Sequence, residues 1–206
     1  GPGDVIHVDA GYYHLTRNLE IVAEDSGVII RGARAAGHPT ILDRQNPLPY
    51  SYGFNFAGGS DITIESLTIT GAEFGVFAAD NADSDRVTLR GNRIFNNDRV
   101  EVVINQSNDE WRVIDNEIYD LAATDSSGVI LRSSLATIEG NSIHDHRYGV
   151  DVQSPASSFL IFENEIFDNT TAGMLVSVSS QITSSTITDN QVYGNNDGIV
   201  ASFSAL

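Results

Sequence analysis

Apolar residues recur along the chain in short runs separated by turns rich in Asn, Asp and Gly. One run occurs five times: an Asn, then any residue, then Ile or Val, then an aromatic residue or His. Its copies begin at Asn92, Asn116, Asn141, Asn164 and Asn190, in steps of 24, 25, 23 and 26 residues. A period in the twenties is typical of a solenoid in which each repeat forms one coil.

Each coil contains three short runs. One follows a glycine, as in Gly149-Val-Asp-Val, one ends just before the repeated asparagine, as in Leu160-Ile-Phe, and the third is the repeat itself. β-branched residues dominate and no helical period is present, which favours strands. The pattern predicts an all-β parallel β-helix of about eight coils, each of about 24 residues with three short strands. We expect a single domain over 1–206, with opening coils at 1–60 and regular coils at 61–206.

Two structural interpretations follow from the repeat. The repeated asparagines, stacked in register at a bend, are predicted to bond to the Asn above and below, because no sheet ladder reaches the backbone groups there. The column Ile94, Ile118, Ile143, Ile166 and Val192 is predicted to lie in the core.

The charge of the chain excludes several functions. Eleven basic residues, all of them Arg, stand against 28 acidic ones, for a net charge of −17. Nucleic-acid binding requires phosphates to be neutralised, so we expect none. No apolar run approaches the ~20 residues of a membrane helix, so no membrane insertion is expected. With no Cys, a disulfide, a thiolate nucleophile and Cys-ligated zinc are excluded.

The two ends of the chain suggest a piece of a longer protein. The sequence begins with Gly1-Pro2 rather than an initiator Met, and it stops at Leu206 after a strand-like run. Other domains of the parent chain or a self-association partner are therefore expected. The acidic composition, free of Lys and Cys, predicts an extracellular or cell-surface location, on a bacterium.

The opening stretches resemble a known family. Residues 3–13, and then 28–32 with 40–43, are similar to the first coils of the right-handed parallel β-helix superfamily, which has the pectate-lyase-like fold. The resemblance implies a right-handed coil. The superfamily includes polysaccharide lyases, glycoside hydrolases, uronate C5-epimerases, adhesins and plain surface proteins, so the fold alone does not choose a function.

A local resemblance points to one coil. Tyr148-Gly-Val-Asp151 resembles the Tyr-Gly-Phe-Asp part of the mannuronan C5-epimerase active-site motif. That family continues with Pro-His-Glu, whereas Val152, Gln153 and Ser154 follow here. A partial copy, Tyr52-Gly-Phe-Asn55, lacks the Asp.

The same coil holds the densest set of acid-base side chains. A uronan lyase or epimerase needs a base for the C5 proton, an acid and a cation that holds the carboxylate. The candidate catalytic residues are Tyr148, Asp151, His144, His146 and Arg132, and the candidate substrate-binding residues are Tyr119, Gln153 and Arg147. A hydrolase would need two opposed carboxylates roughly 5 to 9 Å apart, for which Asp145 and Asp151 are candidates. The alternative is a polar turn without chemistry.

Three columns of residues leave alternatives open. The position two beyond the turn glycine gives Phe77, Ile130, Asp151, Leu175 and Val200, with Val102 in the coil that lacks the glycine. This row is either an exposed apolar surface or part of the core. Where it is exposed, its apolar members would raise the pKa of Asp151 unless Arg132 compensates.

The second column contains Asp120, Asp145 and Asp168, which either recruit a hard cation such as Ca²⁺ or cap a solvated turn. The third contains Phe95, Tyr119, His144, Phe167 and Tyr193, which either form a platform for sugar rings or fill half-buried positions. The 120–127 loop, longer by about four residues than in other coils, is expected to overhang a groove.

The sequence thus predicts an extracellular β-helix that engages polysaccharide. The finer expectation is a lyase or C5-epimerase acting on acidic polysaccharide, with a glycoside hydrolase less favoured. The strongly negative charge would repel such a polymer unless calcium or Arg intervenes. The alternative is a non-catalytic surface, adhesive or structural module.

Overall fold

The protein is described by a computed structural model that covers residues 1–34, 37–121, 126–179 and 184–204, with the side chains of 203 and 204 left out. Within this part the chain forms three parallel sheets of eight strands each. Each sheet takes one strand from every coil, so consecutive members of a sheet are three strands apart in sequence. The predicted parallel β-helix is confirmed.

The strands of sheet 1 precede the repeated asparagine. They are β1 (Val5–His7), β4 (Ile29–Arg31), β7 (Thr63–Glu65), β10 (Thr88–Arg90), β13 (Arg112–Ile114), β16 (Thr137–Glu139), β19 (Leu160–Phe162) and β22 (Thr186–Thr188).

The strands of sheet 2 carry the repeat itself. They are β2 (Gly11–His14), β5 (Thr40–Asp43), β8 (Thr68–Thr70), β11 (Arg93–Phe95), β14 (Glu117–Tyr119), β17 (Ser142–His144), β20 (Glu165–Phe167) and β23 (Gln191–Tyr193).

The strands of sheet 3 are longer. They are β3 (Leu19–Val22), β6 (Tyr52–Ala57), β9 (Phe74–Ala78), β12 (Val100–Ile104), β15 (Ser127–Leu131), β18 (Tyr148–Gln153), β21 (Ala172–Ser179) and β24 (Asp197–Ser204). A single 3₁₀ turn, Ala23–Asp25, lies between β3 and β4 in the described residues.

The core fills the tube that the three sheets enclose. Ile94, Ile118, Ile143 and Ile166 are fully buried, as predicted, and Val192 packs against this core from a partly buried position. Trp111 is also fully buried and donates its indole N–H to the carbonyl of Ser84 at 2.6 Å. Its partner therefore compensates for the polar atom that the ring carries into the core.

The turn between sheets 1 and 2 contains the first ladder, which we define as Asn92, Asn116, Asn141, Asn164 and Asn190. The backbone N–H and Nδ2 of Asn116 both donate to Oδ1 of Asn141, at 2.9 and 3.0 Å. Nδ2 of Asn141 also donates to the carbonyl of Val113 at 2.8 Å. The same bonds recur from coil to coil, so the predicted structural role of these asparagines is confirmed.

The turn between sheets 2 and 3 contains a second ladder, which we define as Asn97, His146, Asn169 and Asn195. The backbone N–H and Nδ2 of Asn169 donate to Oδ1 of Asn195 at 2.9 and 2.8 Å. The N–H of His146 donates to Oδ1 of Asn169 at 3.0 Å. Unlike the first ladder, this one has a histidine in place of an asparagine.

A glycine follows this turn in most coils because space is short there. A Cβ on Gly149 would lie 2.6 Å from the carbonyl oxygen of Gly173 and 2.7 Å from a methyl of Ile166. Register places Glu101 in the corresponding position of its own coil, between Val100 and Val102. The Glu101 side chain is fully buried, and both ladder donors of Asn97 bond to its carboxyl group.

Candidate functional site

The outer surface of sheet 3, which we call the sheet 3 face, carries several of the candidate residues. The inward column of this sheet, Val76, Val102, Val129 and Val150, is fully buried. The next residue along each strand therefore points outward. This register gives Phe77, Val103, Ile130, Asp151, Leu175 and Val200 as neighbours on successive strands.

The sequence left open whether this row is an outer surface or part of the core. The register places it on the outer side of sheet 3. It also corrects one member. In the coil that lacks the glycine, Val103 occupies the outward position and Val102 lies in the core. In that coil Glu101 fills the glycine position, so the residue two positions beyond it is Val103.

A chain of hydrogen bonds links four polar side chains on this face. Nε of Arg132 donates to Oε1 of Gln153 at 2.9 Å, and Nη1 donates to Oδ1 of Asn105 at 2.8 Å. Nε2 of Gln153 donates to Oδ2 of Asp151 at 2.5 Å. Because a guanidinium can only donate, Arg132 fixes the oxygen of Gln153 toward itself and the amide nitrogen toward Asp151.

Asp151 has an unusual environment for an outward carboxyl group. Only 6% of the residue is exposed, between Ile130 and Leu175, and Oδ1 is buried with no hydrogen-bond partner in the described structure. Burial raises the pKa of Asp151, while the hydrogen bond from Gln153 and the charge of Arg132 oppose the rise. The direction agrees with the sequence prediction. Oδ1 is thus shielded from solvent without a partner, an environment that favours the protonated carboxyl group.

Tyr148 and Arg147 lie at the start of the same strand. The guanidinium of Arg147, the residue just before β18, lies 5.0 Å from the ring centroid of Tyr148. Tyr148 and Asp151 are three residues apart, about 10 Å along a strand. The structure therefore gathers five of the candidate residues around sheet 3: Arg132, Arg147, Tyr148, Asp151 and Gln153.

The two candidate histidines lie elsewhere. His146 is fully buried in the second ladder, and neither ring nitrogen has a hydrogen-bond partner in the described structure. Burial, followed by the proximity of His144, lowers its pKa to about 3. This corrects the prediction that His146 serves as an acid or base, because its ring contacts no solvent. The reason is positional: it takes an asparagine's place inside the turn.

His144 belongs to the aromatic ladder, our name for Phe95, Tyr119, His144, Phe167 and Tyr193 on the outer side of sheet 2. Successive ring centroids are 4.9, 5.2, 4.6 and 5.2 Å apart, and the planes lie within 17° of parallel. Nδ1 of His144 also lies 2.7 Å from Oδ2 of Asp145. His144 is therefore on a different sheet from Asp151.

The stacking changes the interpretation of Tyr119 as a sugar-binding residue. Its two faces are covered by Phe95 and His144, and only 4% of the residue is exposed. A sugar ring requires a free aromatic face, so Tyr119 is a stacked member of this ladder rather than a sugar platform.

The three aspartates that were candidate calcium ligands are Asp120, Asp145 and Asp168. Asp120 is buried, whereas the carboxylate of Asp145 is half exposed and faces His144. Asp145 and Asp168 have left-handed backbone at their turns, with φ of 61° and 54°. Within the described ranges, no group of three or more His, Asp or Glu side chains is arranged to hold a metal ion.

Asp145 and Asp151, the candidate hydrolase pair, are also separated by the fold. Asp145 lies at the end of sheet 2 against His144, and Asp151 lies on the sheet 3 face against Gln153. The central residues of the loop at 120–127, namely 122–125, lie outside the described residues. No helix among the described residues is long and apolar enough to span a membrane.

The sequence reasoning missed an aromatic cluster on the sheet 3 face. Tyr52 stacks on Phe77 with centroids 4.7 Å apart and planes 9° from parallel, and Phe74 lies 5.1 Å from Phe77. The partial motif at Tyr52 and the two phenylalanines around Gly75 were the available signal. Asn105, which holds Arg132, was also missed.

The comparisons with known proteins agree with this fold. Residues 82–205, more than half of the chain, match the family model described as a right-handed beta helix region, and the chain belongs to this family. The expected right-handed coil is confirmed. No curated protein matches the sequence.

Several solved structures share the architecture. DFA-IIIase from Arthrobacter chlorophenolicus A6 aligns with a TM-score of 0.67 and 16% identity, over 99% of this chain and 60% of that one. The catalytic unit of a GH87 alpha-1,3-glucanase from Streptomyces thermodiastaticus strain HF3-3 aligns with a TM-score of 0.63 and 17% identity, over 94% of this chain and 41% of that one. Alginate lyase from Paenibacillus sp. str. FPU-7 aligns with a TM-score of 0.61 and 14% identity, over 98% of this chain and 93% of that one.

This chain thus spans less than half of the glucanase structure and about three fifths of the DFA-IIIase structure. At these identities the likeness shows a shared fold.

Proposed function

We propose that this domain binds an acidic polysaccharide on the sheet 3 face and holds a uronate carboxylate between Arg132 and Asp151. One observation carries the proposal: Asp151 has a buried, unpartnered Oδ1, while its Oδ2 accepts a hydrogen bond from Gln153, which Arg132 orients. The names of the structural neighbours, among them an alginate lyase and an alpha-1,3-glucanase, support a carbohydrate ligand.

The chemistry of the site favours an anionic sugar. With its pKa raised by burial, Asp151 retains a proton more readily than an ordinary aspartate, and the protonated carboxyl donates a hydrogen bond. Together with the guanidinium of Arg132, it offers two donors to one carboxylate. A local site of this kind is needed because the protein has a net charge of −17, which repels a polyanion at long range.

The finer proposal is a lyase or C5-epimerase. Hydrogen bonds to the uronate carboxylate stabilise the charge that develops when the C5 proton leaves. His144 and His146 lie on other parts of the coil, so Tyr148 is the proposed base, with Arg132 and Asp151 on the carboxylate and Gln153 positioning Asp151. In a lyase, Tyr148 takes the C5 proton and the C5–H electrons form the C4–C5 double bond. The leaving oxygen at C4 departs with the electrons of its bond and takes up a proton from solvent. In an epimerase, a proton returns to the opposite face of C5.

A non-catalytic binding module is the second candidate. The observation that favours it is the placement of both histidines, which leaves fewer acid-base groups on the sheet 3 face than the sequence suggested. An extracellular or cell-surface location, a bacterial source, calcium as a cofactor and contact with other domains remain part of this proposal.

The test is NMR of alginate and pectin-type uronans incubated with the protein in heavy water, with and without calcium. Alkene signals identify a lyase and deuterium at C5 an epimerase, whereas unchanged polymer that still binds supports the non-catalytic module. Arg132→Gln and Asp151→Ala are expected to abolish binding, and Tyr148→Phe is expected to abolish turnover alone.

Arg90→Gln is the matched control, because Arg90 is exposed on the outer side of sheet 1. Binding that survives both Arg132→Gln and Asp151→Ala would overturn the proposed site. New reducing ends without alkene signals would instead identify a hydrolase.

A further inference from the structure

Two stripes run side by side along the sheet 3 face, parallel to the axis of the solenoid. The apolar stripe consists of Phe77, Val103, Ile130, Leu175 and Val200, interrupted by Asp151. The polar stripe consists of Asn105, Arg132, Gln153, Ser177 and Ser202. A pyranose ring has the matching character, since its C–H faces are apolar and its edges carry hydroxyl groups.

The aromatic cluster of Tyr52, Phe74 and Phe77 lies at one end of the apolar stripe. All three side chains are partly exposed, although they pack against one another. The guanidinium of Arg99 lies 5.7 Å from the ring centroid of Phe74, and 67% of that side chain is exposed. The cluster therefore combines ring surfaces with an exposed cation, which also pairs with the carboxylate of Glu73 at 3.5 Å.

Register fixes the distance between this cluster and Asp151. Phe77 pairs with Val103, Val103 with Ile130, and Ile130 with Asp151, so three strand spacings separate the two ends, about 14 Å. A single sugar cannot contact both. A ligand that does so must extend over several coils, and it would cross the apolar stripe, in which Phe77 and Ile130 are partly exposed and Val103 is buried.

We propose that Tyr52, Phe74, Phe77 and Arg99 form a distal subsite for a sugar ring of the same polymer that is bound at Asp151. This inference rests on the proposed function. The ring packs on the partly exposed aromatic side chains, where stacking stabilises it, and its carboxylate accepts a hydrogen bond from Arg99. The subsite makes affinity depend on the length of the oligosaccharide.

The experiment compares the binding of oligouronates of two and of six sugars by titration calorimetry. Phe77→Leu keeps an apolar side chain but removes the aromatic face, and Arg99→Gln removes the cation. Each is expected to weaken binding of the six-sugar ligand by roughly 3- to 10-fold and to leave the two-sugar ligand unaffected. Phe162→Leu is the matched control, because Phe162 is a partly exposed aromatic residue at the end of a sheet 1 strand.

The outcomes separate the two proposals. If Phe77→Leu leaves the six-sugar ligand unaffected, or weakens both ligands equally, the distal subsite is wrong while the site at Asp151 stands. If neither ligand binds the wild-type protein, or if binding is unchanged in Arg132→Gln and Asp151→Ala, the proposed function fails and the subsite with it.

Discussion

The two turns that flank sheet 2 satisfy the same backbone groups in different ways. The first ladder uses asparagine in every coil from Asn92 to Asn190, and each amide bonds to the next one. The second ladder contains His146 among its asparagines, and Glu101 supplies the acceptor for Asn97. An uncharged amide meets the need of a buried corner without titrating. His146 takes the place of such an amide, and Glu101 supplies the acceptor that an amide provides elsewhere. Each places an ionisable group in the interior.

The difference has an electrostatic consequence. Burial raises the pKa of Glu101 well above its usual range and lowers that of His146 to about 3, so both groups favour their neutral forms in the folded protein. The first ladder has no titrating member. Stability that depends on pH is therefore expected to arise at the second ladder.

The largest expected effect is at His146. Its pKa is about 3 in the folded state and near 6.5 when unfolded, so the unfolded chain binds more protons between these values. Stability from the neutral ring is complete above about pH 6.5 and falls as the pH drops toward 3. The loss between pH 7 and about pH 4 is on the order of 3 kcal/mol.

Urea unfolding of the wild type and His146→Asn at both pH values measures this term. The variant restores an amide to the second ladder and is expected to lose less stability in acid than the wild type. Equal losses in the two proteins would show that His146 does not carry the effect.

The next effect concerns the middle of the first ladder. Asn141→Ala leaves the buried N–H and Nδ2 of Asn116 without their acceptor, at a cost of about 3 kcal/mol in the free energy of unfolding. Asn190→Ala, at the partly exposed end of the ladder, is the control and is expected to cost about 1 kcal/mol. Denaturant titration compares them, and equal costs would mean that burial along the ladder does not matter.

A smaller effect is expected at Glu101. Because its folded pKa is raised, the stability it contributes is complete below the unfolded value and declines as the pH rises through the folded pKa. Glu101→Gln keeps the shape and removes the titration. The melting temperature of the variant should match the wild type in mild acid and exceed it increasingly toward pH 8. A constant difference across that range would contradict this account.

The smallest effect lies between the ladders, on the outer side of sheet 2. Arg93 pairs with Glu117 at 2.9 Å and lies over the rings of Phe95 and Tyr119, with about half of its side chain exposed. Arg93→Gln is expected to cost less than about 1 kcal/mol in thermal unfolding, because exposed ion pairs contribute little. A cost equal to that of Asn141→Ala would show that the aromatic ladder depends on this cation.

Much of the fold could be predicted because its signals are periodic. The spacing of Asn92 and its repeats sets the coil length, and the isoleucine two residues later points inward in each coil. The site was harder because the candidate residues lie at corners, where the alternation of a strand is interrupted. His146 is one residue beyond Asp145, yet one is buried and the other half exposed. Which side a corner residue faces depends on the whole turn.

The aromatic ladder shows a second limit. Its spacing predicts that Phe95 and Tyr119 lie in one column, and they do, but the sequence does not give the orientation of the rings. That orientation depends on torsion angles set by neighbours in three coils. The hydrogen-bond chain from Asn105 to Asp151 was hidden for the same reason, since it joins residues from three different strands or their ends.

On the proposed function, the coil-by-coil pairing of sheet 3 would also make this protein a molecular ruler. Each sheet binds a coil only to the coils on either side, and each coil adds one position to both stripes. Inserting or deleting one whole coil between Phe77 and Asp151 would shift them by one strand spacing, about 4.8 Å, while leaving the local chemistry of each intact. Gain or loss of repeats in the gene would therefore tune the length of polymer that the domain measures.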